Sequence, residues 1–549
     1  MTAEDHVSVS VDAGEWLGAL PHNWNYIGYD EANYTYTPEG QELLARFMTF
    51  EEKPYYVRVH HLFCTGNCHG FYKWGSTNAY LEDDAGNPVY DWSIVDLVFD
   101  TMLRYNCKPF VELGFMPQDL VDPARYDIAH DNWTAQLYRT EGWACPPKDY
   151  QKWHDLVFNL VQHCVERYGH DEAASWYWEL WNEPDIFYWR GTVEEFNTLY
   201  DYTAAAVKAA CPEARVGGPA TTNPRPDSNA AAWLDAFLDH CVNGRNACTA
   251  EQGAPVDFLS FHVKGGGYRA DPQHRPQRPP SVQQILSHTQ HGHEIISKYP
   301  TLKNLECVLS EIDPDGWAAG GAWDNANLNF RNTPYYPSFV AAAFDKVSRY
   351  ARGHDWDLKL LSWAFMFVGE RCFEGTRAFS TQGIDKAILN LFRMYARMGD
   401  QEARFVSSGA KDPLKYSDPC GFGEAPDVGG FAALSGNKAL TVLIYNHHDD
   451  WNLHGETTVD LTIERLPFDA PELRIEHYRI DHAHSNAYAE WLRQGKPMYP
   501  APGQYAAIKA RDGLELLEPP RTITPDGGNI TLSFSMPVHA VSLLVVAPA

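Results

Sequence analysis

The stretch Ser175-Trp-Tyr-Trp-Glu-Leu-Trp-Asn-Glu-Pro-Asp185 opens as a strand and closes on a carboxylate. Trp176, Trp178 and Leu180 alternate with Tyr177, Glu179 and Trp181, the period-two pattern of a pleated strand, and aromatic side chains suit a buried sheet surface. Pro184 removes a backbone donor and stops the ladder just after Asn182 and Glu183. The carboxyl ends of buried parallel strands are where α/β folds open their active sites, so Glu183 is the first candidate catalytic residue.

A second strand should end the same way if the first is to have a partner. Cys307-Val-Leu-Ser-Glu-Ile-Asp-Pro314 fits, a short apolar run that reaches Glu311 shortly before another proline. Two carboxyls delivered by two strand ends are what retaining glycoside hydrolysis needs, one protonated to donate to the leaving oxygen and one ionised to attack the anomeric carbon, about 5 Å apart. The neighbouring anion is expected to raise the pKa of the group that stays protonated.

Working outward, strand-like and helix-like segments alternate from Trp24 onward. Strands are predicted at 24–29, 55–63, 108–115, 176–182, 215–218, 257–263, 307–312 and 358–367, with a helical pattern after each. In the third helix Trp153, Leu156, Val157, Leu160, Val161 and Cys164 form one apolar stripe. Eight β-then-α units predict the α/β class and a closed (β/α)8 TIM barrel over residues 14–400, in preference to a doubly wound open sheet. After about Gln401 strands continue without barrel-type helices, which predicts an accessory C-terminal antiparallel β-sandwich over 401–549. A strand at residues 6–12 is expected to join it, and a short helix is expected near 485–495.

The totals bound the function. At 549 residues the chain exceeds what one core holds, and a formal charge of −28 argues against nucleic acid or an anionic membrane as partner. No apolar run approaches a spanning helix and the amino terminus has no apolar signal region, so a cytoplasmic location is expected, with the eleven cysteines as reduced thiols. The expected partner is an oligosaccharide or glycoside, and a homo-oligomer is compatible with the composition. No cofactor is expected. His60, His61, Cys64, Cys68 and His69 fit a zinc site poorly because Cys64-Thr-Gly-Asn-Cys68 has no distant second half, and no metal is expected.

Other residues are candidates for sugar binding. Asn182 stands next to Glu183, placed to bond a hydroxyl near the reacting carbon. Arg58 and His60 share a face of the second strand and either orient the nucleophile or prop the barrel as a buried ion-pair network. His262 and Lys264 share a face before Gly265-Gly-Gly267, a run read as needing room or mobility. Trp74, Trp143, Trp189, Trp317 and Trp323 fall in loops on the strand-end side, where at least one aromatic face is expected to stack on a sugar.

With both glutamates placed, the chain resembles glycoside hydrolase family 39, the retaining family of β-xylosidases and α-L-iduronidase. Trp181-Asn-Glu-Pro-Asp185 is similar to the family's acid/base motif and Ser310-Glu311 to its nucleophile motif. Tyr29-Asp-Glu-Ala-Asn-Tyr-Thr-Tyr36, Lys73-Trp-Gly-Ser-Thr-Asn-Ala-Tyr80, Pro146-Pro-Lys-Asp-Tyr150 and Tyr188-Trp-Arg-Gly-Thr192 resemble bacterial members. The resemblance implies a barrel with an accessory sandwich, Glu183 as acid/base, Glu311 as nucleophile, and β-xylosidase as first choice of activity. It also shows departures. Lys264 stands where many xylosidases carry tyrosine, and Met366 and Val368 stand where acids are expected, with only Glu370 nearby. Arg377 resembles a pocket arginine which, with Lys264, could hold a uronate, so arabinosidase-type and iduronidase activities remain alternatives. A carbohydrate-binding protein without catalysis, and a metal-dependent hydrolase using the histidine-rich second strand, are the rivals from other classes.

Overall fold

The computed structural model describes residues 5–50, 53–66, 68, 75–125, 142–267, 278–316, 321–322, 325–364, 370–375, 378–415, 425–436 and 438–549. Eight strands close into a barrel: β1 (Tyr26–Tyr29), β2 (Tyr55–Val59), β3 (Cys107–Leu113), β4 (Tyr177–Leu180), β5 (Arg215–Thr221), β6 (Phe258–Lys264), β7 (Glu306–Asp313) and β8 (Leu358–Trp363). They are parallel and neighbour one another in chain order. Helices α1 (Pro38–Met48), α2 (Ser93–Arg104), α3 (Tyr150–Tyr168), α4 (Val193–Ala210), α5 (Asn229–Asn243), α6 (Val282–Ser297), α7 (Tyr335–Gly353) and α8 (Ala387–Tyr395) alternate with them. Capping fixes where helices begin: Asp149 accepts from the Gln151 and Lys152 amides ahead of α3, and Thr192 with Glu195 makes a capping box at α4. The α3 stripe is buried as expected.

The barrel is filled in layers. At the amino-terminal ends of the strands Tyr26, Tyr56, Phe110, Tyr177 and Phe258 pack ring on ring, with the Tyr177 centroid 4.7 Å from Phe110 and 5.0 Å from Phe258. One pleat repeat higher come Arg58, Glu112 and Glu179, all fully buried. Above these the Trp363 ring crosses the barrel, 4.9 Å from the His60 ring, and occupies the space a Cβ on Gly28 would need. That plug is the floor on which the strand-end residues stand.

The strands after residue 400 are β9 (Gln401–Ser407), β10 (Asp427–Leu434), β11 (Leu440–His447), β12 (Glu456–Glu464), β13 (Leu473–Ile480), β14 (Ile530–Pro537) and β15 (Ala540–Pro548). With two short strands and the N-terminal strand Asp5–Ala19 they form one ten-stranded sheet. It is mixed rather than wholly antiparallel, because Asp5–Ala19 runs parallel to β12 while pairing antiparallel with β9. A segment from the far end of the chain is not joined to its neighbours by hairpins, so no turn fixes its direction. β11 shows why its sequence is a nearly continuous apolar run: Val442 and Ile444 face the sheet's own core, while Leu443 and Tyr445 join the barrel core, so both faces are covered. The expected short helix is Ala487–Arg493, and a second, Pro502–Lys509, was not anticipated. Among the described residues no helix is long and apolar enough to cross a membrane.

Candidate active site

Glu183 follows β4 on a strained corner. Trp181 and Glu183 both adopt left-handed backbone, φ 67° and 46°, uncommon for residues with a Cβ, and the Glu183 amide is tied at 2.9 Å to the carbonyl of Ala220, the last residue but one of β5. The corner breaks the strand's alternation and aims the carboxylate at β6, where His262 Nδ1 lies 2.9 Å from Glu183 Oε1.

Glu311 arrives from the other side. β7 runs two residues past it, to Asp313, further than the sequence pattern indicates, and an irregularity after Leu309 sets the register that pairs Glu311 with His262 and Asp313 with Lys264. One oxygen of Glu183, one of Glu311 and a nitrogen of His262 therefore all lie within 4.8 Å of one another. The Glu183 side chain is 16% exposed and that of Glu311 6%, so the first opens to solvent and the second lies beneath it.

Cations surround Glu311. Lys264 Nζ sits 2.5 Å from its Oε2 and 2.7 Å from Asp313 Oδ2, while Arg58 Nη1 and His60 Nε2 each stand 3.5 Å from its Oε1. Such surroundings favour negative charge on a carboxylate. Arg58 in turn bonds Glu179 Oε2 at 2.5 Å, Glu112 Oε2 at 2.9 Å and Asn182 Oδ1 at 3.2 Å. The two readings of Arg58 thus merge: it belongs to a buried ion network and also touches Glu311 and Asn182.

The electrostatics of Glu183 differ from expectation. Burial and the Glu311 charge push its carboxyl pKa upward, but the hydrogen bond and charge of His262, helped by Lys264, outweigh them and hold it below the usual range. The anion's push exists, and a histidine at 2.9 Å overrides it. For His60 burial opposes the imidazolium, but the charge and hydrogen bond of Glu112, with Glu311, raise its pKa to about 9. A pKa above the unfolded histidine's, about 6.5, gives stability that is complete below that pH and lost as pH rises through the folded value. The urea midpoint should therefore fall between pH 6.5 and 9, by on the order of 3 kcal/mol in stability, and His60→Asn should flatten that slope. Equal slopes in the two proteins would refute this assignment.

Other candidates divide. Trp143 and Trp189 are buried among Phe115, Tyr188, Trp181 and Phe196, anchoring loops instead of presenting a face. Glu370 lies beside the space over Gly375, and burial raises its carboxyl to about 8 against the opposing charge of Lys386. It does not border the cavity beside Glu183. Trp74, Trp317, Trp323 and Arg377, with Met366, Val368 and His69, lie outside the described residues. Gly265–Gly267 is tightly packed, not roomy: a Cβ on Gly266 would collide with the Arg278 and Pro279 backbone. Glu112, Glu179, Asp313 and Trp363 went unassigned; the available signal was charge inside otherwise apolar strands, as in Phe110-Val-Glu-Leu113.

Among the described residues, two groups of donors could hold a metal by proximity. One is Glu183, His262 and Glu311; the other is His170, Cys211 and Glu213, which precede β4 and β5 at the opposite end of the barrel. In the first, the Lys264 ammonium already contacts Glu311 Oε2, and a divalent cation there would meet like charge. Among the described residues, His60, His61, Cys64 and Cys68 do not converge on a common centre.

Proteins of known activity resemble the chain over most of its length. The β-xylosidase of Caldicellulosiruptor saccharolyticus is 24% identical over 434 residues, covering 76% of this chain and 76% of that protein. The α-L-iduronidase of Mus musculus is 25% identical over 419 residues, covering 72% and 62%. A solved bacterial orthologue of human α-L-iduronidase superposes with a TM-score of 0.78 at 22% identity, covering 100% of this chain and 84% of that one, a likeness of fold. The family model for glycosyl hydrolases family 39 matches residues 7–528, the whole barrel and the sheet as far as the turn before β14, so the chain belongs to that family and is a glycoside hydrolase.

Proposed function

We propose that the protein is a retaining, exo-acting glycosidase that removes terminal pentosyl residues, a β-D-xylosidase in the first instance. The observation that carries the retaining assignment is the approach of Glu183 and Glu311 oxygens within 4.8 Å, since retention goes with carboxyls about 5–5.5 Å apart and inversion with about 6.5–9.5 Å. Glu183, the more exposed, protonates the glycosidic oxygen; Glu311, set among cations, attacks the anomeric carbon and forms a glycosyl-enzyme. Glu183, now deprotonated, draws a proton from water, which attacks the same carbon and releases Glu311.

The His262–Glu183 hydrogen bond supports this double role. It stabilises the ionised Glu183 needed in the second half-reaction, and substrate that covers the site removes water and favours the protonated form needed in the first. Arg58 holds Asn182 Oδ1, which leaves the amide nitrogen as a donor for a sugar hydroxyl beside the reacting carbon.

Lys264 supports a second reading, an α-L-iduronidase, because it brings an ammonium to the reacting centre. A uronate would have to draw Nζ away from Glu311 and Asp313, so the neutral pentoside is preferred. A panel of aryl β-xyloside, α-L-arabinosides, β-galactoside and α-L-iduronide tests the choice: xyloside is expected to turn over fastest, with no loss in EDTA. Fastest hydrolysis of the iduronide would reverse the substrate assignment, and inactivation by chelator would remove the metal-free mechanism.

A further inference from the structure

At the base of the barrel, remote from the catalytic face, three donors of three kinds meet. A nitrogen of the His170 ring, Sγ of Cys211 and a carboxylate oxygen of Glu213 all lie within 4.8 Å of one another, and His170 Nε2 is 2.9 Å from Glu213 Oε2. His170 precedes β4, and Cys211 and Glu213 precede β5, so the group sits at the ends of those strands opposite Glu183.

The backbone holds these side chains in place. Gly169, with φ 93°, ends α3 and starts a short helix at His170. Cys211 is the residue that stops α4, its amide bonded to the Val207 carbonyl at 2.9 Å. The Ala214 amide returns to the Cys211 carbonyl at 3.0 Å, which closes a turn with Pro212 at its second position and carries Cys211 and Glu213 together. Lys208 Nζ fastens that turn, donating to the Ala214 carbonyl at 2.9 Å and the Pro212 carbonyl at 3.2 Å.

The chemistry of the donors favours a cation. Asp171 Oδ1 lies 3.2 Å from His170 Nδ1, the carboxylate support that metal-binding histidines carry, and it leaves Nε2 toward Glu213. Lys208, the nearby ammonium, is taken up by Asp257 Oδ2 at 2.8 Å and by the turn carbonyls. At Glu183, His262 and Glu311, by contrast, the Lys264 ammonium touches the carboxylate directly. The side chains of His170 and Glu213 are 48% and 64% exposed while Cys211 is buried, so a cation arriving from solvent meets imidazole and carboxylate before sulfur.

We propose that His170, Cys211 and Glu213 form a site for one zinc ion, with water in the fourth position and Asp171 as a positioning residue. Thiolate, imidazole and carboxylate together suit a borderline-soft divalent ion and not calcium or magnesium. In a tetrahedral zinc site such donors stand about 3.3–3.6 Å apart, so the side chains need to adjust by only about 1 Å. The thiol proton passes to solvent as sulfur binds the ion. The ion would staple the turn before β4 to the turn before β5, two strands that pair side by side. Its role is stabilising, and the proposal is independent of the sugar and of the roles of Glu183 and Glu311.

The test uses the full-length chain, stripped with EDTA and titrated with ZnCl2 or CoCl2. One equivalent of zinc should bind per chain and raise Tm by roughly 3 °C when free zinc is about a hundredfold above Kd. Cobalt should show the near-ultraviolet charge-transfer band of a thiolate ligand, and Cys211→Ser should abolish it. His170→Ala and Glu213→Ala, both at exposed positions, should each weaken zinc by at least about a hundredfold, and Asp171→Asn by about tenfold. Glu311→Gln should leave the stoichiometry and the band unchanged, because it belongs to the other donor group. The proposal is overturned by no zinc bound at about 0.1 mM. Adventitious binding only, shown by a band that survives Cys211→Ser, by an affinity unchanged in either His170→Ala or Glu213→Ala, or by zinc lost in Glu311→Gln, overturns it equally.

Discussion

Glu311→Ala should lower turnover of every glycoside substrate by at least about 10⁴-fold, the scale on which enzymes lose a covalent nucleophile. No other described carboxylate is placed to replace it. Asp313 is bound to Lys264, and Glu112 and Glu179 lie a layer deeper, bound to Arg58. The same residue should be found labelled when the enzyme is treated with a slow 2-fluoro-glycoside and digested for mass spectrometry. The substitution also leaves Lys264, Arg58 and His60 with less negative charge, so thermal melting should accompany the kinetics. A folded variant that still turns over at more than about a hundredth of the normal rate would remove Glu311 from the reaction.

Glu183→Ala should behave differently, because an acid/base contributes to both half-reactions but forms no bond to carbon. With a poor leaving group, activity should fall about 10²–10⁴-fold, the range for general acid–base catalysis. With a 2,4-dinitrophenyl glycoside, whose leaving group needs no proton, a burst should precede a slow steady state as the glycosyl-enzyme accumulates. Azide then replaces the water that Glu183 no longer activates, and the product should be a glycosyl azide of retained configuration. An inverted azide would mean that the two glutamates have exchanged roles, while Glu311→Ala should give the inverted product with the same reagent.

Both expectations depend on a geometry only partly legible beforehand. The eight-unit alternation, the α3 stripe and the two Glu-bearing strand ends are local patterns, and each appears in the fold because barrel strands pair in chain order. A period-two or period-3.6 pattern is set by the backbone, so it can be read without knowing the neighbours. The sheet beyond residue 400 was legible as strands but not in its pairing. Asp5–Ala19 settles between β9 and β12 through contacts hundreds of positions away.

The site shows the same division more sharply. His60, His262, Lys264 and Asn182 could be chosen as polar residues at strand ends, yet nothing local says that Lys264 faces Glu311 and Asp313, or that His262 sits on Glu183. The first follows from the β6–β7 register and its irregularity after Leu309, the second from the corner after β4 that turns Glu183 toward β6. Glu112 and Glu179 stand in apolar strands and carry no motif; their purpose is visible only once Arg58 is seen between them.

By itself the sequence determined the strand and helix periods, the closed parallel barrel, the family resemblance and the pair of glutamates, because those depend on residue type and spacing along one chain. Tertiary structure alone decided the charge that each glutamate feels. A carboxyl's proton affinity is the sum of burial and of charges within a few ångströms, and here His262, Lys264, Arg58 and His60 reach Glu183 and Glu311 from two other strands, β6 and the end of β2.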